Sequence, residues 1–170
     1  DPARSGAGGS LGDIGTHAYN LVDYVTGLAV AELCADLSSF VPGRRLDDNA
    51  QILLRFEGGA RGMLWASQVA CGEENHLRIR IYGTKAAIHW DQEKPNELTF
   101  HPAGQPAQRL TRGMAGLPSV AAEATRIPTG HPEGYLEGFA NIYRNFTNHI
   151  RAIEAGARPN PLDMDYPSIE

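Results

Sequence analysis

The sequence predicts an α+β fold: an open, predominantly antiparallel β-sheet with helices packed on one face. Three observations predict it. Between residues 30 and 100 the apolar positions recur every second residue, as in Ile52, Leu54 and Phe56 and again in Leu77, Ile79 and Ile81. The breaks between such runs, GGARG at 58–62, CGEEN at 71–75, YGTK at 82–85 and QEKPNE at 92–97, are turn chemistry too short to hold crossover helices, so neighbouring strands run antiparallel. Two flanking segments, 12–27 and 134–156, instead repeat their apolar residues every three to four.

In the first helix, GDIGTHAYNLVDYVTG, Asp13 serves as N-cap and Gly27 as stop, with Ile14, Ala18, Leu21, Val22 and Val25 as the apolar stripe. The strands that follow form a meander of about five to seven. Residues 102–134 carry Pro102, Pro106, Pro118, Pro128 and Pro132 among many glycines, which predicts a long loop with one short strand around Arg109 to Thr111. In the last helix Leu136, Phe139, Tyr143, Phe146, Ile150 and Ile153 recur at three- and four-residue intervals, and Gly156 closes it. The second sheet face carries Trp65, Tyr82 and Trp90, more apolar than solvent requires, and a homo-oligomer packed through that open face is expected.

At 170 residues and 42% hydrophobic composition the chain suits one domain over 1–170. Twenty acidic against fifteen basic residues give a charge of -5 and no basic stripe, which argues against nucleic acid as partner. Cys34 and Cys71 lack metal-type spacing and read as thiols of a reducing compartment, so the expected location is cytoplasmic. No apolar run reaches the roughly 18 residues of a membrane span, and DPARSGAGGS has no signal-peptide pattern. With Asp1 in place of an initiator Met, and an abrupt end at DYPSIE, the chain is expected to be a fragment.

Asp13, His17, Asn20 and Tyr24 fall within about 60° of one another on a helix wheel, a polar seam beside the apolar stripe. An imidazole beside a carboxylate has a defined tautomer and can pass a proton to and from a substrate hydroxyl near neutral pH. Two other readings stay open. Asp13 is only a helix cap and His17 a satisfied histidine, or the pair are two ligands of a metal whose third would come from His131 or another histidine. The glycines of SGAGGSLG do not form a dinucleotide-binding loop, because no apolar strand precedes them. In GHPEGY at 130–135, His131 and Tyr135 either line a polar cavity or serve the entrance and packing of the last helix.

GAGGSLGDIGTHAYNLVDYVTG, the strand series through YGTKAAI, GHPEGYLEGFANIYRNF and the terminal DYPSIE together resemble the C-terminal domain of the glucose-fructose oxidoreductase, inositol dehydrogenase and rhizopine-catabolism (Gfo/Idh/MocA) family. The resemblance implies a substrate and oligomerisation domain whose N-terminal Rossmann partner lies outside this chain. It implies an NAD(P)-dependent sugar, polyol or cyclitol dehydrogenase that moves hydride between a carbinol carbon and nicotinamide. NAD or NADP would then be held mainly by the Rossmann domain, and the chain alone would be inactive. Carried over by position, Asp13 and His17 are the catalytic and substrate-binding pair, with His17 the proton acceptor, and His131 and Tyr135 are sugar contacts; no metal is implied. Glu93-Lys94-Pro95 copies the letters of a family motif that belongs in the Rossmann domain, and its place in a turn reads as coincidence. The alternatives are a non-catalytic sugar sensor or scaffold on the same fold, and a metal-dependent isomerase or hydrolase.

Overall fold

The computed structural model describes residues 2–6, 8–164 and 166, so that of DYPSIE only Tyr166 lies within the described residues. The chain forms two compact units, residues 1–79 and 80–170.

The first unit begins with α1 (Pro2–Ser5) and a π-helical turn, Leu11–Gly15, which runs directly into α2 (Thr16–Thr26). Three antiparallel strands follow, β1 (Val30–Ser38), β2 (Asn49–Phe56) and β3 (Arg61–Ser67), in that spatial order. Ile52 of β2 sits opposite Ala35 of β1 and Leu64 of β3. Side chains alternate between faces along a strand, so the period-two pattern of β2 becomes a buried row of Ala50, Ile52, Leu54 and Phe56, with Gln51, Leu53 and Arg55 exposed. Leu64 and Ala66 of β3 complete the core, and Leu11, Ile14, Ala18, Val22, Leu28 and Val30 cover it. Ile14, Ala18 and Val22 of the predicted stripe therefore pack on the core, whereas Leu21 is half-buried outside it and Val25 is exposed. Gly15 leaves room for the Leu11 side chain: a Cβ there would fall 2.8 Å from the Leu11 Cδ1. As predicted, Gly27 ends α2 in the left-handed conformation, φ 61°, and its N–H donates to the Asp23 carbonyl at 2.7 Å.

The other sheet has the order β4 (Arg78–Tyr82), β5 (Ala86–Asp91), β6 (Glu97–Pro102) and β7 (Gln108–Thr111), the last being the short strand expected in the proline-rich segment. The strands thus number seven among the described residues, divided between two open sheets rather than gathered in one. A helix the sequence did not predict, α3 (Ser119–Ala124), follows Pro118. Proline lacks only its own N–H, which a helix start leaves without an intrahelical partner, so Pro118 can precede the helix-forming run SVAAEA without cost. The final helix, α4 (Tyr135–Glu154), lies where its period placed it. Its start is fixed by Glu137, whose carboxylate accepts the Gly134 N–H at 2.8 Å. Its apolar face is exposed, with Leu136 at 77% and Ile153 at 61%. No helix among the described residues is long and apolar enough to cross a membrane.

Leu54 is 6% exposed at the centre of the first core. Its replacement by Ala should destabilise the chain by about 2–5 kcal/mol, from lost burial and the cavity left behind. Urea unfolding of Leu54→Ala against the parent measures this, and Leu53→Ala on the exposed side of the same strand should cost far less.

Candidate active site

The site is built where the chain enters its first long helix. The opening turn of a helix leaves backbone N–H groups without intrahelical partners. Here Asp47, from the β1–β2 connection, satisfies them. Its carboxylate accepts the Gly9 N–H at 3.2 Å, the Ser10 hydroxyl at 2.8 Å and the Leu11 N–H at 2.9 Å, and its backbone carbonyl accepts the Ser10 N–H at 2.8 Å. The approach is so close that a Cβ on Gly9 would fall 2.1 Å from the Asp47 carbonyl oxygen, so residue 9 must be glycine. This accounts for part of the glycine run.

Asp13 is consequently not the N-cap that the sequence predicted. It lies inside the π-turn, where its own N–H donates to the Gly9 carbonyl at 3.0 Å, while the Thr16 N–H reaches back five residues to the Leu11 carbonyl. The predicted cap failed because helix propensity at a terminus is local, whereas the carboxylate that caps this one arrives from 34 residues beyond Asp13 along the chain (47 − 13). π-Turns of this kind are often found at functional positions. Asp13 is exposed, and its Oδ2 accepts a hydrogen bond from the Gln68 Nε2 at 3.0 Å. His17 is exposed on the following turn, and its side chain makes no hydrogen bond among the described residues. The carboxylate and imidazole therefore share the solvent side of one helix without being bonded to each other, and neither is sealed beneath the sheet.

Asp13 opens onto a cavity of about 920 Å³ lined by Gly8, Gly9, Gly12, Arg45, Asp47 and Gln68 among others. A second anchor supports its rim. Asp48 is fully buried, and its carboxylate accepts the N–H groups of Phe40 at 2.8 Å and Val41 at 3.0 Å, with the Arg44 guanidinium 3.5 Å away. Those hydrogen bonds, led by that of Phe40, hold the Asp48 carboxyl below its ordinary 3.8. For Asp47 burial pushes the other way, but the bonds from Leu11, Ser10 and Gly9 outweigh it and its carboxyl also lies below 3.8.

His131 and Tyr135 belong to the second unit. Both are exposed, and the Tyr135 ring packs on Phe139 with centroids 4.8 Å apart. The segment that carries them is organised by Arg112, which sequence reading missed. Its guanidinium donates to the carbonyls of Ile127 at 2.9 Å, Pro128 at 3.2 Å and His131, and to the Glu133 carboxylate at 3.1 Å. Glu133 is buried and accepts the N–H groups of Arg126 and Ile127, both at 2.6 Å. The charged letters were visible in the sequence, but one arginine binding three carbonyls of a distant loop has no local signature. Lys94 lies in the β5–β6 turn, where its N–H donates to the Asp91 carbonyl at 3.0 Å. No parallel strand–turn–helix unit that would cradle a dinucleotide occurs among the described residues, and the glycine run follows helix α1 rather than a strand.

A carboxyl whose folded pKa is depressed contributes stability above its unfolded value and loses it as pH falls through the folded one. Thermal unfolding should therefore show stability falling below about pH 4. Asp47→Asn and Asp48→Asn should each lower the midpoint at pH 7 and flatten that acid limb; an unchanged limb in both variants would contradict the assignment.

Comparison with known proteins places this geometry in context. The GFO/IDH/MocA C-terminal domain model matches residues 1–89. The uncharacterised oxidoreductase YfiI of Bacillus subtilis is 40% identical, aligned over all of this chain and 44% of its own length. The structure of an oxidoreductase from Sinorhizobium meliloti is 55% identical with a TM-score of 0.88, over 95% of this chain and 45% of that one. An inositol dehydrogenase homolog from Azotobacter vinelandii, complexed with NADH and myo-inositol, is 40% identical with a TM-score of 0.82, over 86% and 39%. The chain spans less than half the length of each of these proteins.

Proposed function

The chain belongs to the GFO/IDH/MocA family, and on that premise we propose that it is the substrate-binding and oligomerisation domain of an NAD(P)-dependent dehydrogenase acting on a sugar, polyol or cyclitol. The observation that carries the reading is the release of Asp13 from capping, which leaves its carboxylate lining the cavity, with His17 exposed four residues further along the chain. The myo-inositol in the complex of the Azotobacter relative supports the substrate class.

NAD(P) is assigned to a Rossmann domain outside these 170 residues, and the chain alone has no turnover. Its contribution is proton handling and positioning. A carbinol becomes a carbonyl when its carbon gives up hydride and its hydroxyl gives up a proton. His17 takes that proton, and Asp13 accepts a hydrogen bond from a substrate hydroxyl and so fixes the carbinol in line. Since no hydrogen bond joins the two side chains, the substrate is what couples them. His131 and Tyr135, in the second unit, are proposed as further sugar contacts on the strength of the family resemblance alone. The outer face of the β1–β3 sheet exposes Leu53, Met63 and Trp65 at 63, 76 and 53%, which supports a homo-oligomer through that face. Two exposed free thiols, Cys34 and Cys71, fit a reducing cytoplasm.

In the enzyme joining this domain to its Rossmann partner, Asp13→Asn and His17→Ala should each lower kcat/KM for polyol oxidation by about 10²–10⁴. Lys94→Ala should leave it unchanged. Sugar binding without hydride transfer across a panel of polyols would replace the dehydrogenase with a sensor. Met63→Glu should convert an oligomer into a smaller species in sedimentation, and a parent that is monomeric at micromolar concentration would remove the interface.

A further inference from the structure

We infer that Gln68 is a positioning residue for the Asp13 carboxylate, a role that rests on the reading of Asp13 given above. Gln68 is the first residue beyond β3, and its backbone is held firmly: its N–H donates to the carbonyl of buried Asp48 at 2.8 Å. From that fixed point its side chain crosses to Asp13, 55 residues away in sequence, and donates from Nε2 to Oδ2 at 3.0 Å. Both residues line the same cavity.

The fold has little use for this bond. The helix start is already capped by Asp47, and the Gln68 stem is already tied to Asp48 through its backbone. Both side chains are exposed, where a hydrogen bond exchanged with water contributes little to stability. Its effect is on geometry. A carboxylate on a helix surface rotates about two side-chain torsions, and a donor on one oxygen restricts both. The donor here is an amide, which orients Asp13 without cancelling its charge as a lysine or arginine would. Among the described residues Oδ1 has no hydrogen-bond partner, so one oxygen is held and the other is left to accept a substrate hydroxyl. Groups preorganised in this way favour the reacting geometry over the merely bound one.

The test is made in the enzyme that joins this domain to its Rossmann partner, with myo-inositol and NAD. Gln68→Leu, which keeps the bulk and removes the donor, should reduce kcat/KM about 10- to 100-fold, the range expected for loss of a hydrogen bond to a charged group. Gln68→Glu should be impaired at neutral pH, and its kcat/KM relative to the parent's at the same pH should rise as pH falls and the new carboxyl becomes protonated, because a carboxylic acid can donate where a carboxylate cannot. A purely structural role would not give that pH signature. A second readout needs no substrate: in the 170-residue chain, Asp13→Ala should shift the Gln68 side-chain amide resonances. If those resonances do not move, or if Gln68→Leu and Gln68→Glu keep the parent kcat/KM and pH profile while Asp13→Asn is inactive, the role of Gln68 is overturned and that of Asp13 stands. If Asp13→Asn is itself fully active, the reading of Asp13 fails and this inference falls with it.

Discussion

Four backbone and hydroxyl groups at the start of one helix need partners, and a single aspartate from another part of the chain supplies them. The rest of the site depends on that constraint. With Asp47 in place, the chain can enter a helix without a cap of its own, and the glycine at position 9 is what lets the two segments come close enough. Asp48, the next residue, anchors the β1–β2 connection from the inside and fixes the residue that follows β3. Two adjacent aspartates, through their carboxylates and backbone carbonyls, thus hold the helix, the connection and the strand end as one frame.

That frame separates structural from chemical duty. Asp47 and Asp48 are ionised, saturated with hydrogen bonds and held below their ordinary pKa, which suits anchors and makes them poor proton carriers. The Asp13 carboxylate has one hydrogen bond, from Gln68, and lines the cavity. The His17 side chain has none among the described residues. A pair left incomplete in this way has capacity for a hydroxyl-bearing ligand.

The parts of the fold that were legible in the sequence are those governed by local period. The alternation in β2, the stop at Gly27, the short strand near Arg109 and the long terminal helix follow from side-chain spacing and turn residues, and each appears where expected. What was illegible depends on pairs far apart in sequence. Asp47 on the helix start, Gln68 on Asp13 and Arg112 on the carbonyls around His131 leave no periodic trace, and they decide which polar residues are occupied and which are free. The π-turn belongs with them: residues 11–15 read as ordinary helix, but their start is set by an outside carboxylate. The exposed apolar face of α4 has a similar lesson, since the helical period shows that a face is apolar and says nothing of what lies against it.

The central claim is that Asp47, and not Asp13, holds the helix start, so that Asp13 is available for chemistry. The most direct measurement is the unfolding free energy of the 170-residue chain carrying Asp13→Ala or Asp47→Ala. The account predicts that Asp47→Ala loses at least the roughly 0.5–2 kcal/mol of a helix cap, and that Asp13→Ala stays within about 0.5 kcal/mol of the parent. An Asp13→Ala chain destabilised as much as Asp47→Ala would show that Asp13 is spent on structure, and would contradict the account.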